Sequence, residues 1–566
     1  MTKHAARKFA FFAVLFTLTC CGTLNAQTWN GTTGNWLDAS MWTGGVPVSS
    51  ATTALTFNGN SIFTSTNNLS DNPFELNQLN LSGTGTGTNI IQGGLLRFTG
   101  TSPTINNTVT FNQRYDIMSD IEFATNTSLN MGNDNVILSG RLSGSGNLEL
   151  SQTYGEYALY LKGNATSTLS GNIISNGVSI LADNDSRLGL SQITLKNSGS
   201  LEMTNSTTTS RTITTSSSAF LMCNNDTNWT IDGKITGTGD INIHGSGTII
   251  LSNSSNDYIG QTSLTGGGTV KLGSSTALPS NTDLSLTSST FDTNGYSTSI
   301  QSINNRGAII NSGTSITIGG GSFTWGGSMS GDGSLIKNGP GNFFTSTGST
   351  YTGGTIISDG AFYANNSTGS ATGTGNVTIN SSGTLGGKGF IDGKVTGNGT
   401  ITGSSNINSI GRLTLNGGLD LSTGGKYLWD LGALSESNAG TDFDQISIAG
   451  GDLTLGGSSK LTLDFGALGV NPNLSNAFWD SPHTWTIIDV NSPGTNSFNN
   501  TFSEITNPTY STGSFTLLDP TINGGDIVLS FTPNPVPEPA FILTATILGA
   551  IGGQVLRKRS KGKQSD

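Results

Sequence analysis

The chain has 566 residues, a formal net charge of −11 and 10% charged residues, against about 25% in an ordinary soluble domain. Its 80 glycines and abundant Ser, Thr and Asn exclude a helical protein, because Gly costs about 1 kcal/mol per helical position and the others prefer turns. The acidity argues against a nucleic-acid partner, which would need a basic stripe, and the 33% hydrophobic residues, set in short alternating runs, argue against disorder.

Residues 1–26 have the layout of a signal peptide. Lys3, His4, Arg7 and Lys8 form a basic start, Phe9 to Thr19 an apolar stretch too short to span a bilayer comfortably, and Leu24-Asn25-Ala26 a cleavage site. Signal peptidase is expected to cut between Ala26 and Gln27. A rival lipoprotein reading at Leu18-Thr19-Cys20-Cys21 is weakened by Cys20, which stands where a small residue is usual. Cleavage leaves Cys223 alone, so no internal disulfide can form and packing must supply the stability.

The segment TWNGTTGNWLDASMWTGGVP carries Trp29, Trp36 and Trp42. A Trp cluster suits either sugar stacking or the closing of a stacked array, whose first unit has no neighbour on one side; the cap is preferred.

Internal repeats follow. RLSGSGNLEL (141–150), KITGTGDINI (234–243), SMSGDGSLIK (328–337) and KVTGNGTITG (394–403) share an apolar residue, Ser or Thr, Gly-x-Gly, and another apolar residue two positions on. Their spacing exceeds one solenoid turn, so each marks a group of turns. A finer unit of about 20 to 30 residues runs inside them: GSGTIILSNSSNDYIGQTSLTGGGTVKLG after the second motif, GPGNFFTSTGSTYTGGTIISDGAFYAN after the third, and a weaker GNATSTLSGNIISNGVSILAD after the first. Runs such as Thr248-Ile249-Ile250-Leu251 alternate as strands with one buried face. They need neighbours above and below, with Gly at the corners for positive φ and close approach. The fold expected is all-β, a right-handed parallel β-helix (solenoid) over 27–408, the hand following the preference of parallel crossovers. Some 400 residues would build a rod on the order of 80 to 100 Å.

These two units, near 234–273 and 328–366, resemble autotransporter-associated β-strand repeats, the modules of long secreted bacterial passenger proteins. The Trp segment is similar to the one that often opens such proteins. The resemblance implies a stalk or an adhesin-like surface protein, and the repeat itself carries no catalytic residue.

From 409 to 533 the strands become cleaner, as in SIGRLTLNGGLDLSTGGKYLWDL and TDFDQISIAGGDLTLGGSSKLTLDF. This run resembles the segment that closes the same repeat proteins. Asp430, Asp442, Asp444, Asp452 and Asp464 could bind Ca²⁺, but their spacing fits no known loop signature, and solvated strand ends are the preferred reading. No metal and no cofactor is expected.

Residues 534–566 form a separate unit. Val536-Pro537-Glu538-Pro539 precedes an uncharged run, 540–556, of the minimum length for a transmembrane helix, and then Arg557, Lys558, Arg559, Lys561 and Lys563, whose charge holds the tail on the cytoplasmic side. The two prolines fix an exposed, extended backbone suited to a protease cleft. The order of motif, span and basic tail resembles the PEP-CTERM sorting signal, whose bearers are processed by exosortase, a membrane-embedded transpeptidase-like enzyme. The resemblance implies a transient inner-membrane anchor in a Gram-negative-type bacterium, followed by release to the surface or matrix; a permanent anchor is the alternative.

Catalytic candidates are thin. Asp183, Asn184, Asp185 and Arg187 read as a polar turn, and His244 and His483 lie far apart in the chain. No catalytic residue is assigned and no enzyme is expected. The leading reading is a structural cell-surface or extracellular-matrix protein set in polysaccharide, the alternative an adhesin or carbohydrate-binding protein. A polysaccharide-degrading β-helix would require an acidic cluster on one lateral face.

Overall fold

A computed structural model describes residues 25–535 apart from 110–111, 153–156, 225, 407, 469–475, 492–500 and 507–508. Among the described residues, short strands alternate with turns, and helix is confined to five 3-10 segments of three or four residues. Apart from a few antiparallel strands at the two ends, each strand pairs in parallel with one in a neighbouring coil, so the chain winds into a parallel β-solenoid of about 17 turns.

The alternation read in the sequence becomes columns of stacked side chains. Leu55, Leu79, Ile105, Leu129 and Leu150 lie in register one above another, and all five are fully buried. A second column runs through Ile91, Ile117, Leu138, Leu161, Ala182, Met203 and Cys223. A third runs through Trp229, Ile249, Val270, Phe291, Ile309 and Met329. No single strand of three to five residues is stable alone; here most strands are paired on both edges and their inward side chains meet like chains above and below. The outward positions carry polar side chains that stack too. Asn106 Nδ2 donates to Asn80 Oδ1 at 2.8 Å and Asn130 Nδ2 to Asn106 Oδ1 at 2.8 Å, a ladder of amides along the rod.

The Gly-x-Gly motifs are corners. Ile235–Gly237 and Val395–Gly397 end on the first glycine, and the next strand starts a few residues on. Gly237 has φ +114°, and a Cβ there would lie 1.9 Å from the Thr215 carbonyl oxygen of the preceding turn. Only glycine combines that conformation with that approach.

The finer repeat stacks on this motif. Gly260 lies over Gly239, and Gly353 over Gly333 one copy later. Two residues before each stands a fully buried tyrosine whose hydroxyl meets a threonine: Tyr258 with Thr262 at 2.8 Å and Tyr351 with Thr355 at 2.5 Å. In the weaker copy Gly171 lies over Gly146, and buried Leu169 takes the tyrosine's place. The two repeats thus follow each other because one forms the floor of the next.

At each end of the rod one row of strands is closed by a change of direction and a cluster of rings. At the N-terminal end Trp42–Thr43 pairs antiparallel with Asn25–Trp29. Trp36 is 0% exposed, its ring 5.5 Å from Trp42 and 5.3 Å from Phe74, and its Nε1 donates to Ser65 Oγ at 2.6 Å. A sugar platform needs exposed ring faces; these three tryptophans are buried, so they are the cap. At the other end His483–Val490 and Ile527–Pro533 pair antiparallel, Gly513–Leu517 joins them, and Trp479, Trp485, Phe515 and Phe531 pack beneath. Between the ends the columns run on through residue 409, with Val395 opposite Leu419 and Thr400 opposite Lys426. Among the described residues no helix is long and apolar enough to cross a membrane; the expected span 540–556 lies outside them.

Candidate functional site

The expected sorting residues Val536, Pro537, Glu538 and Pro539, and the basic residues Arg557, Lys558, Arg559, Lys561 and Lys563, lie outside the described residues. Ala26 and Gln27 fall within the first strand, Ala26 opposite Ala54 and Gln27 opposite Leu55, with Ala26 exposed and Gln27 buried.

The polar turn at 183–187 is structural. Arg187 is buried and reads backbone, donating to the carbonyls of Ala165 (2.7 Å), Leu138 (2.9 Å) and Gly140 (2.7 Å). Asp185 is held by Arg211 Nε at 2.9 Å and Nη2 at 2.7 Å. His244 is exposed, its Nδ1 2.9 Å from Thr265 Oγ1. His483 stacks flat on Phe478 at 3.6 Å in the C-terminal cap and bonds Glu436 and the Phe478 carbonyl. Cys223 is free and buried, and burial pushes its thiol up.

The aspartates after residue 409 correct the expectation of solvated strand ends. Asp452 is exposed and Asp442 and Asp464 are half-buried, but Asp430 and Asp444 are 3% and 0% exposed. Asp444 Oδ2 accepts from Thr402 Oγ1 at 3.0 Å and Ser404 Oγ at 2.8 Å, and its Oδ1 from the Gly411 N–H at 3.0 Å. Burial pushes Asp444 up to about 7 against these bonds, with the charge of Asp430 adding to the rise. Asp430 is pushed up to about 6, again by burial first and by neighbouring Asp464. Among the described residues no three His, Cys, Asp or Glu side chains are grouped to hold a metal ion.

These acids stand beside a lateral groove of about 400 Å³. Its wall follows one outward row of the solenoid, Asn342, Ala361, Thr384, Thr400 and Lys426, in register turn after turn. Five stacked strands at 4.7 to 4.9 Å make it about 20 Å long, parallel to the rod. Asp359, Asp430 and Asp464 line it with Ser382, Thr402, Ser404, Asn406 and Asn408. Tyr363 also lines it, 4% exposed, its ring stacked on Phe344 at 5.0 Å. Burial raises the Tyr363 hydroxyl, and it has no hydrogen-bond partner among the described residues. Asp444 acts behind the wall, fixing Thr402 and Ser404 in place. Chemically the groove offers hydroxyls, amides, carboxylates and one ammonium along a straight path.

No family model and no solved structure matches the chain. Among curated proteins it is similar to the Adhesin BmaC autotransporter of Brucella suis biovar 1 (strain 1330), at 34% identity over 178 residues. That match covers 29% of this chain and 5% of the relative. The match thus spans only a small part of that protein's length, and together with the solenoid the likeness fits autotransporter-type repeats.

Proposed function

We propose that this protein is an exported, adhesin-like surface protein whose solenoid serves as a stalk in the cell surface or extracellular matrix. The observation that carries the reading is a parallel β-solenoid of about 17 turns, with a cluster of buried rings at each end, supported by the similarity to an autotransporter adhesin. Such a rod sets distance and presents lateral surface. Signal peptidase cuts after Ala26, leaving Gln27 to Trp29 paired with Leu55 to Phe57. The tail then anchors the chain in the inner membrane through 540–556, and exosortase recognises Val536 to Pro539 and releases the body. The signal peptide, the span and the sorting step rest on the sequence pattern and its resemblance to PEP-CTERM proteins. A second reading, a carbohydrate-binding adhesin, is favoured by the lateral groove.

Peptide mass spectrometry of the membrane and extracellular fractions of the native cells tests this. The outer fraction should begin at Gln27 and lack everything after the Pro-Glu-Pro region. A tail peptide that persists outside, or a protein found only in membranes, refutes the sorting step; a protein found only in the cytoplasm refutes the surface reading as a whole.

A further inference from the structure

We propose that the lateral groove beside Tyr363, Lys426, Asp430 and Asp464 binds a short segment of an uncharged glycan lying parallel to the rod. This rests on the surface reading and names the ligand class for it.

The geometry points to an extended, polyhydroxylated ligand. The groove is about 20 Å long and straight because its wall is one register row repeated at the strand spacing. A compact metabolite would fill a fraction of it, and a peptide would seek an open strand edge, whereas the strands lining this wall are paired on both sides. The lining groups are those that serve sugar hydroxyls: carboxylates that accept, an ammonium that donates, and hydroxyls and amides that do both.

Charge narrows the class. The lining carboxylates Asp359, Asp430 and Asp464 outnumber Lys426 and the buried Lys337, whose ammonium donates to the Asp359 carbonyl behind the wall at 3.2 Å, so the groove keeps a net negative charge and disfavours uronates and sulfated sugars.

Two further features mark a built site. The Tyr363 ring is 96% buried and stacked on Phe344, while its hydroxyl, bonded to no described residue and not among the buried unpaired atoms, opens to the groove. A rigid ring thus presents a free hydroxyl to a ligand at little entropic cost. Thr402 and Ser404 are held by buried Asp444, so their hydroxyls are set before a ligand arrives.

Titration calorimetry of the purified full chain with cellotetraose, maltotetraose, the N-acetylglucosamine tetramer and a galacturonate tetramer tests the inference. At least one neutral tetramer should bind and the galacturonate should not. Tyr363→Phe removes the hydroxyl and keeps the stack on Phe344, and should weaken binding about 3- to 10-fold, as expected for one hydrogen bond. Asp464→Asn should weaken it similarly, whereas Thr298→Val, in a separate groove lined by Asn256, Asp257, Thr298 and Thr317, should leave it unchanged. Binding of no tetramer, preference for galacturonate, or undiminished affinity in Tyr363→Phe overturns the proposal. A protein that fractionates outside the cell yet binds none of the four overturns the groove alone and leaves the surface reading standing.

Discussion

Asp444→Asn is the substitution whose outcome the structure specifies most closely. The carboxyl is fully buried and pushed up to about 7 from an ordinary 3.8. The folded chain therefore holds a proton that the unfolded chain releases between these values, and stability falls as pH rises through that window. Between pH 5 and pH 8 this one group lowers stability by about 3 kcal/mol. Asp430, at about 6, adds a fall of about 1 kcal/mol over the same range, which survives in the variant. Asn is nearly isosteric: its carbonyl can accept the Gly411 N–H, and its amide can donate to the hydroxyl oxygens of Thr402 and Ser404 once their O–H bonds, released from the carboxylate, turn away. With Asn standing in for the neutral acid, the variant should exceed the native protein by about 2 kcal/mol at pH 5 and by about 4 kcal/mol at pH 8, a gap that widens roughly 100-fold in local opening between the two. A solenoid opens in parts, so the assay is hydrogen exchange of peptides covering Thr402 to Gln445, expressed as protection to remove the intrinsic pH dependence. Native protection that stays flat from pH 5 to pH 8, or a variant that falls as steeply as the native protein, would refute the reasoning.

Trp36→Ala should cost about 3 to 5 kcal/mol by emptying the N-terminal cap; exchange should rise in Thr53–Asn58 and Thr64–Asn67 and stay unchanged in Gln445–Ile448, since each turn touches only its neighbours. Gly237→Ala places a methyl 1.9 Å from the Thr215 carbonyl at φ +114° and should cost more than about 2 kcal/mol, read as lost protection across Ile213–Thr215 and Ile241–His244. Tyr258→Phe removes the bond to Thr262, whose hydroxyl keeps Thr282 at 3.0 Å, so a local loss of about 1 kcal/mol is expected from the same exchange measurement.

The solenoid was legible because its determinants are local and periodic. Alternation assigned the buried face of Thr248–Leu251, and the recurring Gly-x-Gly marked corners where one backbone crosses another at contact distance. Tyr258 and Tyr351 stood at matching positions in two repeats, and the structure gives both the same buried bond to a threonine four residues on. The buried aspartates were misread because charge was weighed without its flanks. Asp444 precedes Gln445–Ile448, a strand buried along its whole length, and Asp430 follows the buried ring of Trp429. An Asp continuous with such runs enters the interior with its strand. The groove had no comparable signal. Asn342 and Lys426 become neighbours of one row through turns of unequal length, and unequal turns carry no period.

The two caps constrain function more than any single residue does. A parallel solenoid left open would present unpaired backbone at each end, a template for another copy. Here the first strand is covered by an antiparallel turn bearing Trp42, and His483–Val490 by an antiparallel strand, while Glu504–Thr506 ends a second row in a parallel pair with Lys460–Asp464. Growth over the covered rows would require these elements to leave and to expose Trp29, Trp36, Trp479 and Trp485, all buried. The turns, about 17, make a rod of about 80 Å. Its remaining surface is lateral, and the polar ladders and the groove beside Tyr363 lie there. An element of this length with a repeating polar flank suits a stalk that meets its surroundings along its side.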